Sequence, residues 1–419
     1  MLPMSFVREH ADAIRDNLRK RNADAPLDEI LELDRRRREL DAETNALRAE
    51  RNRVSRAGKP DEATRSRMRD IGDRIAAIEK ELQPIDEALR EKLLYLPNMV
   101  DRSTPVGPDE SHDVIVGSWG EPRTFAFQSK PHWELGERLG ILDLPRGVKL
   151  AGSRFYVLRG AGAALQRALI AWMLDHKVRE HGFVELYPPF LAKEEVLVGS
   201  GALPKLRDAV FKAEGEDLFM IPTAEVQLLS YYRDEVLDAA ELPLRLVGYT
   251  ACFRNEKISA GKDVRGIKRG FEFDKVEMFV YCKPEESPAE FELLVKLASE
   301  VLERLELPYR RKELCSGGMA FQAARAMDLD VWAPGVEEWL EVSSVSNCTD
   351  FQSHRVNVRM RRSRGSKPEP LHTLNGSGLA LPRLVIAILE NYQREDGSVV
   401  VPTVLRPYLH GLEVMRPAR

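Results

Sequence analysis

The chain has 419 residues, of which 31% are charged and 43% are apolar, and its formal net charge is −4. This length predicts two or three domains with a substantial core. The small net charge excludes nucleic-acid binding by a uniformly basic surface, so such binding would require local basic patches. No apolar run approaches membrane-spanning length, and Arg8 and Glu9 come too early for a secretory leader, so we expect a cytoplasmic protein that binds no membrane.

The cysteines are few and far apart, and no two of them form a CxxC pair. The spacing indicates neither a disulfide framework nor a cysteine-based zinc site. We therefore predict that the cysteines are small, buried, apolar residues. They are Cys252, Cys282, Cys315 and Cys348.

Residues 27–96 are predicted to form a separate helical unit. Apolar side chains recur alternately three and four residues apart in two runs, one on each side of the stretch "SRAGKPDEA". This is a heptad pattern, and Gly58 and Pro60 interrupt it, which predicts an antiparallel hairpin of two helices. Helices of about 30 residues would extend roughly 45 Å.

Two roles are open for this hairpin. Dimerisation is the ordinary role of a coiled coil, but Arg37, Thr44 and Arg51 interrupt the apolar seam of its first helix. Arginines are also dense around the tip of the hairpin, with acidic residues between them. A long basic lever suits contact with a phosphate backbone.

The remainder of the chain mixes helical and strand patterns. Residues 97–113 contain three prolines and are predicted to form a linker. A helix is predicted near residues 163–181, and a short strand ends at Pro188 and Pro189. Further predicted elements are strands around 217–225, 245–256, 271–281 and 339–347, and a helix at 382–393. Because β-α-β alternation is missing, we expect an α+β domain on a mainly antiparallel sheet. The sequence contains neither GxGxxG nor GxxxxGK[ST], so Rossmann and P-loop sites are not supported.

The segment 251–279 contains charged and aromatic side chains at a spacing of two. Side chains at this spacing share one face of a strand. A structural strand would place apolar residues on its buried face, so this pattern indicates a surface that holds a charged, planar ligand such as a nucleotide. The residues are Arg254 and Glu256, followed by Arg269, Phe271, Phe273, Lys275 and Glu277.

Three further segments contain polar groups that suit a ligand. Thr223 and Glu225 in "IPTAEV" would share one face if the segment were extended. Glu341 and Ser344 in "WLEVSSVSN" are oxygen ligands suited to Mg²⁺, but their spacing of three requires a bulge or a strand end. "LNGSGLALPR" combines small residues with Arg383 at the start of a predicted helix. Each segment taken singly has an ordinary structural explanation.

Taken together and in this order, these segments resemble the seryl-tRNA synthetases, a family of class II aminoacyl-tRNA synthetases. "FRNE" with "FDKVE" resembles motif 2, "NGSGLALPRLVIAILENYQ" resembles motif 3, and the helix and strand before Pro189 resemble motif 1. "TAE" resembles the serine-binding TxE signature. The resemblance covers essentially the whole chain. It implies a class II antiparallel sheet flanked by helices, a tRNA-binding domain at 1–105 that contains the coiled-coil arm at about 27–96, and a catalytic domain at 106–419.

The resemblance also implies roles for residues that would bind ATP and Mg²⁺. Arg254 would contact the α-phosphate, and Glu256 would lie near the adenine. Phe273 would stack on the adenine, with Arg383 on its other side and reaching the γ-phosphate. The implied magnesium ligands are Glu341 and Ser344.

On the serine side, the resemblance implies that Arg269 holds the carboxylate beside the α-phosphate. Thr223 and Glu225 would take the amino group of L-serine, and Glu277 and Ser377 would bind its hydroxyl. Arg254 and Arg269 would be the catalytic residues, because they stabilise charge as two anions approach. The implied partners are ATP, L-serine and tRNA(Ser), with tRNA(Sec) as an additional candidate, and a second copy of the chain in a homodimer.

Several positions differ from the pattern expected for the family. Glu272 stands where glutamine is common, Gly318 where aspartate is typical, and Arg325 and Met327 replace lysine and tyrosine. The motif 2 loop contains "KIS" where small residues are usual. These differences leave open a specialised second copy that resists an inhibitor. A ligase that loads a carrier protein is a separate alternative, but such relatives lack the long arm that this sequence contains. A degenerate, non-enzymatic paralog is disfavoured, since none of the implied ligand residues is lost.

Overall fold

The structure is a computed structural model that describes residues 1–56, 61–255 and 265–417. The chain divides into two compact units. The first comprises Met1–Arg19 and Ala23–Pro97, and the second comprises Lys20–Asn22 and Asn98–Arg419. The helices of the first unit are α1 (Met4–Glu9), α2 (Ala11–Lys20), α3 (Leu27–Arg56) and α4 (Glu62–Leu93).

Helices α3 and α4 form the predicted antiparallel hairpin. The ion pairs between them show the antiparallel order. Arg36 of α3 pairs with Glu81 of α4 at 2.5 Å, whereas Glu43, later in α3, pairs with Arg74, earlier in α4, at 2.7 Å. These pairs are exposed and contribute little to stability. The hairpin is instead held by a buried apolar seam, which includes Ile30, Leu40, Ile71, Ile75 and Ile78. No helix within the described ranges is long and apolar enough to cross a membrane.

The second unit combines helices with short and long strands. Its helices are α5 (His132–Arg138), α6 (Leu144–Ala151), α7 (Ala161–Asp175), α8 (Glu194–Ser200), α9 (Glu225–Ser230), α10 (Ser287–Arg304), α11 (Phe351–Val356) and α12 (Leu381–Asn391). Its strands are β1 (Val114–Trp119), β2 (Leu142–Asp143), β3 (Val157–Leu158), β4 (Val184–Leu186), β5 (Leu191–Ala192), β6 (Phe219–Met220), β7 (Val236–Asp238), β8 (Leu244–Phe253), β9 (Glu272–Cys282), β10 (Tyr309–Glu313), β11 (Arg325–Ala333), β12 (Glu338–Asn347), β13 (Arg359–Arg361), β14 (Glu369–Pro370), β15 (His372–Ala380), β16 (Val399–Val400) and β17 (Val414–Met415).

The central sheet has the strand order β1-β10-β11-β12-β15-β9-β8-β4. Its neighbouring strands are antiparallel, apart from the parallel pair β4 and β8. The α+β prediction with a mainly antiparallel sheet is therefore confirmed.

The two faces of the sheet have different tasks, and strand β9 illustrates the division. Val276, Met278 and Val280 are buried in the main core with residues of α7, α10 and α12. Phe273 and Lys275 occupy alternate positions and point to the opposite face, because successive strand side chains alternate. Helices α7, α10 and α12 cover the first face. The opposite face carries the ligand cavity and, beside it, a second apolar cluster that packs against α9 and α11.

The structure differs from the sequence prediction at one strand and at the start of another. The strand predicted at 217–225 is limited to Phe219–Met220, and Glu225 begins helix α9 instead. Strand β9 begins at Glu272, so Arg269 precedes it in a turn. Phe271 accordingly leaves the predicted alternation and packs against Phe155 and Phe211, with ring centres 5.8 and 5.9 Å away.

Candidate active site

A cavity of about 430 Å³ lies on the open face of the sheet. Nine of the predicted site residues line it, although they come from distant parts of the sequence. They are Thr223, Glu225, Arg254, Arg269, Phe273, Glu341, Ser344, Ser377 and Arg383. Glu277 is fully buried and is not part of the cavity lining. Glu256 lies outside the described residues.

Three arginines bring positive charge to the cavity from different elements. Arg254 follows β8, and its Nε donates to the Pro222 carbonyl at 3.1 Å. Its guanidinium lies 5.2 Å from the centre of the Phe273 ring, a cation–π contact. Arg383, in the first turn of α12, donates from Nη1 to the Glu341 carbonyl at 2.6 Å. Together with Arg269, these guanidinium groups give the cavity a lining that suits a polyanion next to an aromatic face.

The cavity lining also contains a buried carboxylate, that of Glu225 at the start of α9. The backbone N–H of Glu225 donates to Thr223 Oγ1 at 3.2 Å, so a tight turn brings these residues together instead of strand alternation. Gln352 Nε2 donates to Glu225 Oε1 at 2.6 Å and fixes the carboxylate. Burial, and then the nearby Glu277, raise the pKa of Glu225 to about 7.

A polar network surrounds this carboxylate and includes residues to which the sequence prediction gave no role. Lys275 Nζ donates to Thr223 Oγ1 at 2.7 Å and forms an ion pair with Glu277. Asn375 Nδ2 donates to Glu277 Oε1 at 3.2 Å and to Glu225 Oε2 at 3.4 Å. The alternation of β9 could have indicated Lys275. The part played by Asn375 follows from the pairing of β15 with β9.

Acidic side chains form another wall of the cavity, and a β-bulge in β12 places them there. The pairing of β11 with β12 shifts between Ser343 and Glu341, which leaves Val342 as an extra residue. The bulge allows Glu341 and Ser344, three residues apart, to face the same cavity, as their spacing required. Asp328 lies opposite Ser344 in the register and also lines the cavity. The sequence gave no signal for Asp328, because its place depends on strand register.

The Asp328 carboxylate is an unusual group in this wall. Its side chain is only 8% exposed, and its Oδ1 has no hydrogen-bond partner. Burial, and then the neighbouring Glu341, raise its pKa well above the usual range. Such buried, unsatisfied carboxylate oxygens fit a divalent cation with a preference for oxygen ligands.

The comparisons with known proteins agree with this geometry. A profile of the seryl-tRNA synthetase N-terminal domain matches residues 1–100, and a profile of the class II tRNA synthetase core domain (G, H, P, S and T) matches residues 209–392. A protein of Thermomicrobium roseum named serine–tRNA ligase is 56% identical over 417 residues, covering 98% of this chain and 94% of its own. The chain belongs to the seryl-tRNA synthetase family.

Solved structures of this family have the same fold. The seryl-tRNA synthetase of Pyrococcus horikoshii, crystallised with ATP, matches with a TM-score of 0.94 and 37% identity over the full length of both chains. The cytoplasmic serine–tRNA ligase of Naegleria fowleri, in complex with AMP, matches with a TM-score of 0.90 and 29% identity, covering 100% of this chain and 99% of its own.

The positions that differ from the expected seryl-tRNA synthetase pattern have separate structural settings. Gly318 lines the cavity. Arg325 forms ion pairs with Glu313 at 2.8 Å and Glu292 at 2.9 Å, and Met327 is buried in the core. Glu272 borders a different hollow of the surface, so Gly318 is the substitution among these four that contacts the candidate site directly.

Proposed function

We propose that this protein is an active serine–tRNA ligase. It joins L-serine to ATP, giving seryl-adenylate and pyrophosphate, and transfers the seryl group to the 3′ end of tRNA(Ser). The observation that carries the proposal is one cavity lined both by three arginines and by a buried carboxylate that belongs to a polar network. Such a cavity suits a triphosphate next to a small zwitterionic amino acid.

ATP binds to the arginines of the cavity in this proposal. The Pyrococcus horikoshii relative was crystallised with ATP and the Naegleria fowleri relative with AMP, which supports a nucleotide at this face. Arg254 contacts the α-phosphate and Arg383 the γ-phosphate, and Phe273 provides a face for the adenine. The cation–π contact between Arg254 and Phe273 places charge and ring side by side before the nucleotide binds. The role of Glu256 near the adenine is proposed from sequence alone.

Glu341, Ser344 and Asp328 are the residues that would hold Mg²⁺. The unsatisfied Oδ1 of Asp328 supports this assignment, and it adds one ligand to the pair predicted from sequence. The ion would supply a positive charge that neutralises the phosphate oxygens as the leaving group departs.

The chemistry requires little acid–base assistance from the protein. A carboxylate oxygen of serine attacks the α-phosphorus, the new P–O bond forms, and the bond to the pyrophosphate oxygen breaks. The nucleophile is already ionised at neutral pH, so the residues mainly align two anions and offset their repulsion. Arg269 holds the serine carboxylate beside the α-phosphate, and Arg254 stabilises the charge that develops there. The 3′-terminal ribose hydroxyl of tRNA then attacks the adenylate carbonyl and displaces AMP.

Recognition of serine belongs to the buried carboxylate network. Thr223 and Glu225 bind the amino group. Ser377 in the lining binds the hydroxyl together with Glu277, its buried neighbour in the register. The register pairs Ser377 directly with Glu277, which supports a shared task for these two residues. Alanine would leave these polar groups unpaired, so we expect discrimination of about 10⁴-fold against it.

The tRNA and assembly roles are proposed on separate grounds. Residues 1–105 form the tRNA-binding domain, with the α3–α4 hairpin as its arm, and residues 106–419 form the catalytic domain.

We propose a homodimer because large apolar side chains are exposed at the edge strand β4, next to the motif 1 helix. Val184 on this strand is 57% exposed, and Tyr187 just after it is 80% exposed. Charging of tRNA(Sec) is an additional proposal. Location in the cytoplasm is supported by the Naegleria fowleri relative, which is described as cytoplasmic.

The decisive experiment is pyrophosphate exchange with each amino acid, followed by a filter assay for seryl-tRNA. Serine should support exchange, and alanine and threonine should not. Failure of serine-dependent exchange would contradict the proposal and favour a non-enzymatic paralog. Exchange without tRNA charging would favour loading of a carrier protein. The match of residues 1–100 to the seryl-tRNA synthetase N-terminal domain argues against that second function.

A further inference from the structure

Helix α7 ends in a π-helical turn that brings two histidines together. The α-helix stops at Asp175, and residues His176–Glu180 continue it as a π-helix. Residues five apart lie about 140° apart around an α-helix, but in a π-helix, whose bonds join residues i and i+5, they lie one above the other. The imidazoles of His176 and His181 therefore meet, with their Nε2 atoms 3.3 Å apart.

Glu300, on helix α10, completes the cluster from a different part of the fold. Its Oε2 lies 3.4 Å from His176 Nε2 and 3.1 Å from His181 Nε2. That oxygen is buried and has no hydrogen-bond partner. The other oxygen, Oε1, lies 3.7 Å from Lys296 Nζ, so the carboxylate is oriented with Oε2 toward both rings.

The three distances between these ligand atoms fit a face of a metal tetrahedron. Zinc bonds to imidazole nitrogen and carboxylate oxygen are about 2.05 Å long, so ligand atoms of a tetrahedral ion lie about 3.3 Å apart. The observed edges are 3.1, 3.3 and 3.4 Å. An imidazole pair with one carboxylate is also a ligand set that zinc accepts.

We propose that His176, His181 and Glu300 form a zinc site, separate from the substrate cavity, with one coordination position left for water. None of the three residues lines that cavity. The side chains of His181 and Glu300 are 23% and 22% exposed, which leaves a side open for the ion and its water ligand. The cysteine pattern gave no hint of this site, because its ligands are histidine and glutamate.

The surroundings hold the ligands in place. Lys177 Nζ donates to the Leu297 carbonyl at 2.5 Å, which ties the π-helical turn next to His176 to helix α10. Arg304, also on α10, is engaged with Glu180 at 2.5 Å. The site links the end of α7 to α10, and both helices pack in the main core behind the sheet. We therefore assign the ion a stabilising role, in which it fastens the motif 1 helix to the core.

The test measures zinc on the full chain after treatment with a chelator and gel filtration. Titration against a chromophoric zinc indicator should give one equivalent per chain. His181→Gln and Glu300→Gln should each weaken zinc binding by more than about 100-fold, because even loss of an outer-shell partner costs 10- to 100-fold. His112→Gln, which removes an exposed imidazole elsewhere, is the matched control and should bind zinc normally. Zinc should raise the melting temperature of the wild type and of the control, but not that of the two ligand variants.

Cobalt distinguishes a built site from a chance one. Co²⁺ in place of zinc should give the intense visible absorption of a four-coordinate ion in the wild type, and His181→Gln should lose it. If the three residues form only a hydrogen-bonded cluster, the wild type will not bind one equivalent of zinc, or zinc binding will persist in both ligand variants. Either result would overturn the proposal. Pyrophosphate exchange is measured in parallel, so failure of the zinc site is distinguishable from failure of the proposed activity.

Discussion

Glu225 should impose a pH dependence on serine activation between pH 6 and 8. Its pKa is raised to about 7, chiefly by burial and next by Glu277. If the carboxylate must be ionised to bind the serine ammonium, it is about one-tenth ionised at pH 6 and about nine-tenths ionised at pH 8. The kcat/KM for serine in pyrophosphate exchange should therefore rise nearly tenfold from pH 6 to pH 8. The KM for ATP at saturating serine should change little.

The variant Glu225→Gln keeps the shape of the side chain and removes its charge. Loss of a charge-assisted hydrogen bond of about 1.5–3 kcal/mol should lower kcat/KM for serine by about 10- to 150-fold, and the pH dependence should vanish. Glu241→Gln, on an exposed loop carboxylate, is the matched control. A wild-type profile that is flat from pH 6 to 8, or an unchanged slope in Glu225→Gln, would refute the assignment.

The same raised pKa makes a separate prediction about stability. The ordinary pKa is 4.5 and the folded value is about 7, so the unfolded chain loses its proton first as the pH rises. Stability is fully present below the unfolded pKa and is lost as pH rises through the folded pKa. One pKa unit corresponds to about 1.4 kcal/mol, so the contribution of Glu225 should lower the free energy of unfolding of the wild type by about 2–3 kcal/mol between pH 5 and pH 8. Denaturant unfolding should show this decrease in the wild type and not in Glu225→Gln. The variant should therefore be more stable, relative to the wild type, at pH 8 than at pH 5.

Three further perturbations test other parts of the site. Glu277→Ala should abolish serine-dependent exchange and leave ATP binding largely intact, whereas a collapse of ATP affinity would contradict its role in the serine pocket. Asp328→Asn should raise the Mg²⁺ concentration for half-maximal exchange by about tenfold, in line with the loss of one charged ligand or outer-shell partner; an unchanged magnesium curve would remove Asp328 from the metal site. Deletion of residues 35–85, with the ends rejoined by a short loop, should spare adenylate formation and abolish tRNA charging. Equal loss of both activities would mean that the arm is needed for folding.

The parts of the fold that could be predicted depend on local periodicity. The heptad spacing that includes Ile71, Ile75 and Ile78 allowed the α3–α4 hairpin to be predicted, because the helical repeat determines which side chains lie on one seam. The alternation of Phe273 and Lys275 with the buried Val276 and Met278 likewise fixed the faces of β9. In both cases the sequence period equals the structural period.

The parts that could not be predicted depend on pairing between distant segments. Asp328 reaches the cavity because β11 is in register with β12, and Gln352 reaches Glu225 across 127 positions of sequence. The turn at Thr223 replaced the expected strand because Ala224 has helical backbone angles and serves as the N-cap of α9. Family resemblance supplied the predicted ligands, but it could not reveal the residues that support them.

The bulge at Val342 makes strand pairing, as well as residue identity, a condition for the acidic wall. Leu340 and Val342 pack into the core before the bulge and Val345 does so after it, which means that the inward-pointing positions change from even to odd numbers along the chain. If β12 kept all of its residues but paired with β11 without the bulge, strict alternation would turn Glu341 toward the hydrophobic interior while Ser344 stayed on the cavity face. Such a strand would keep every letter of the motif and would separate two of the proposed metal ligands.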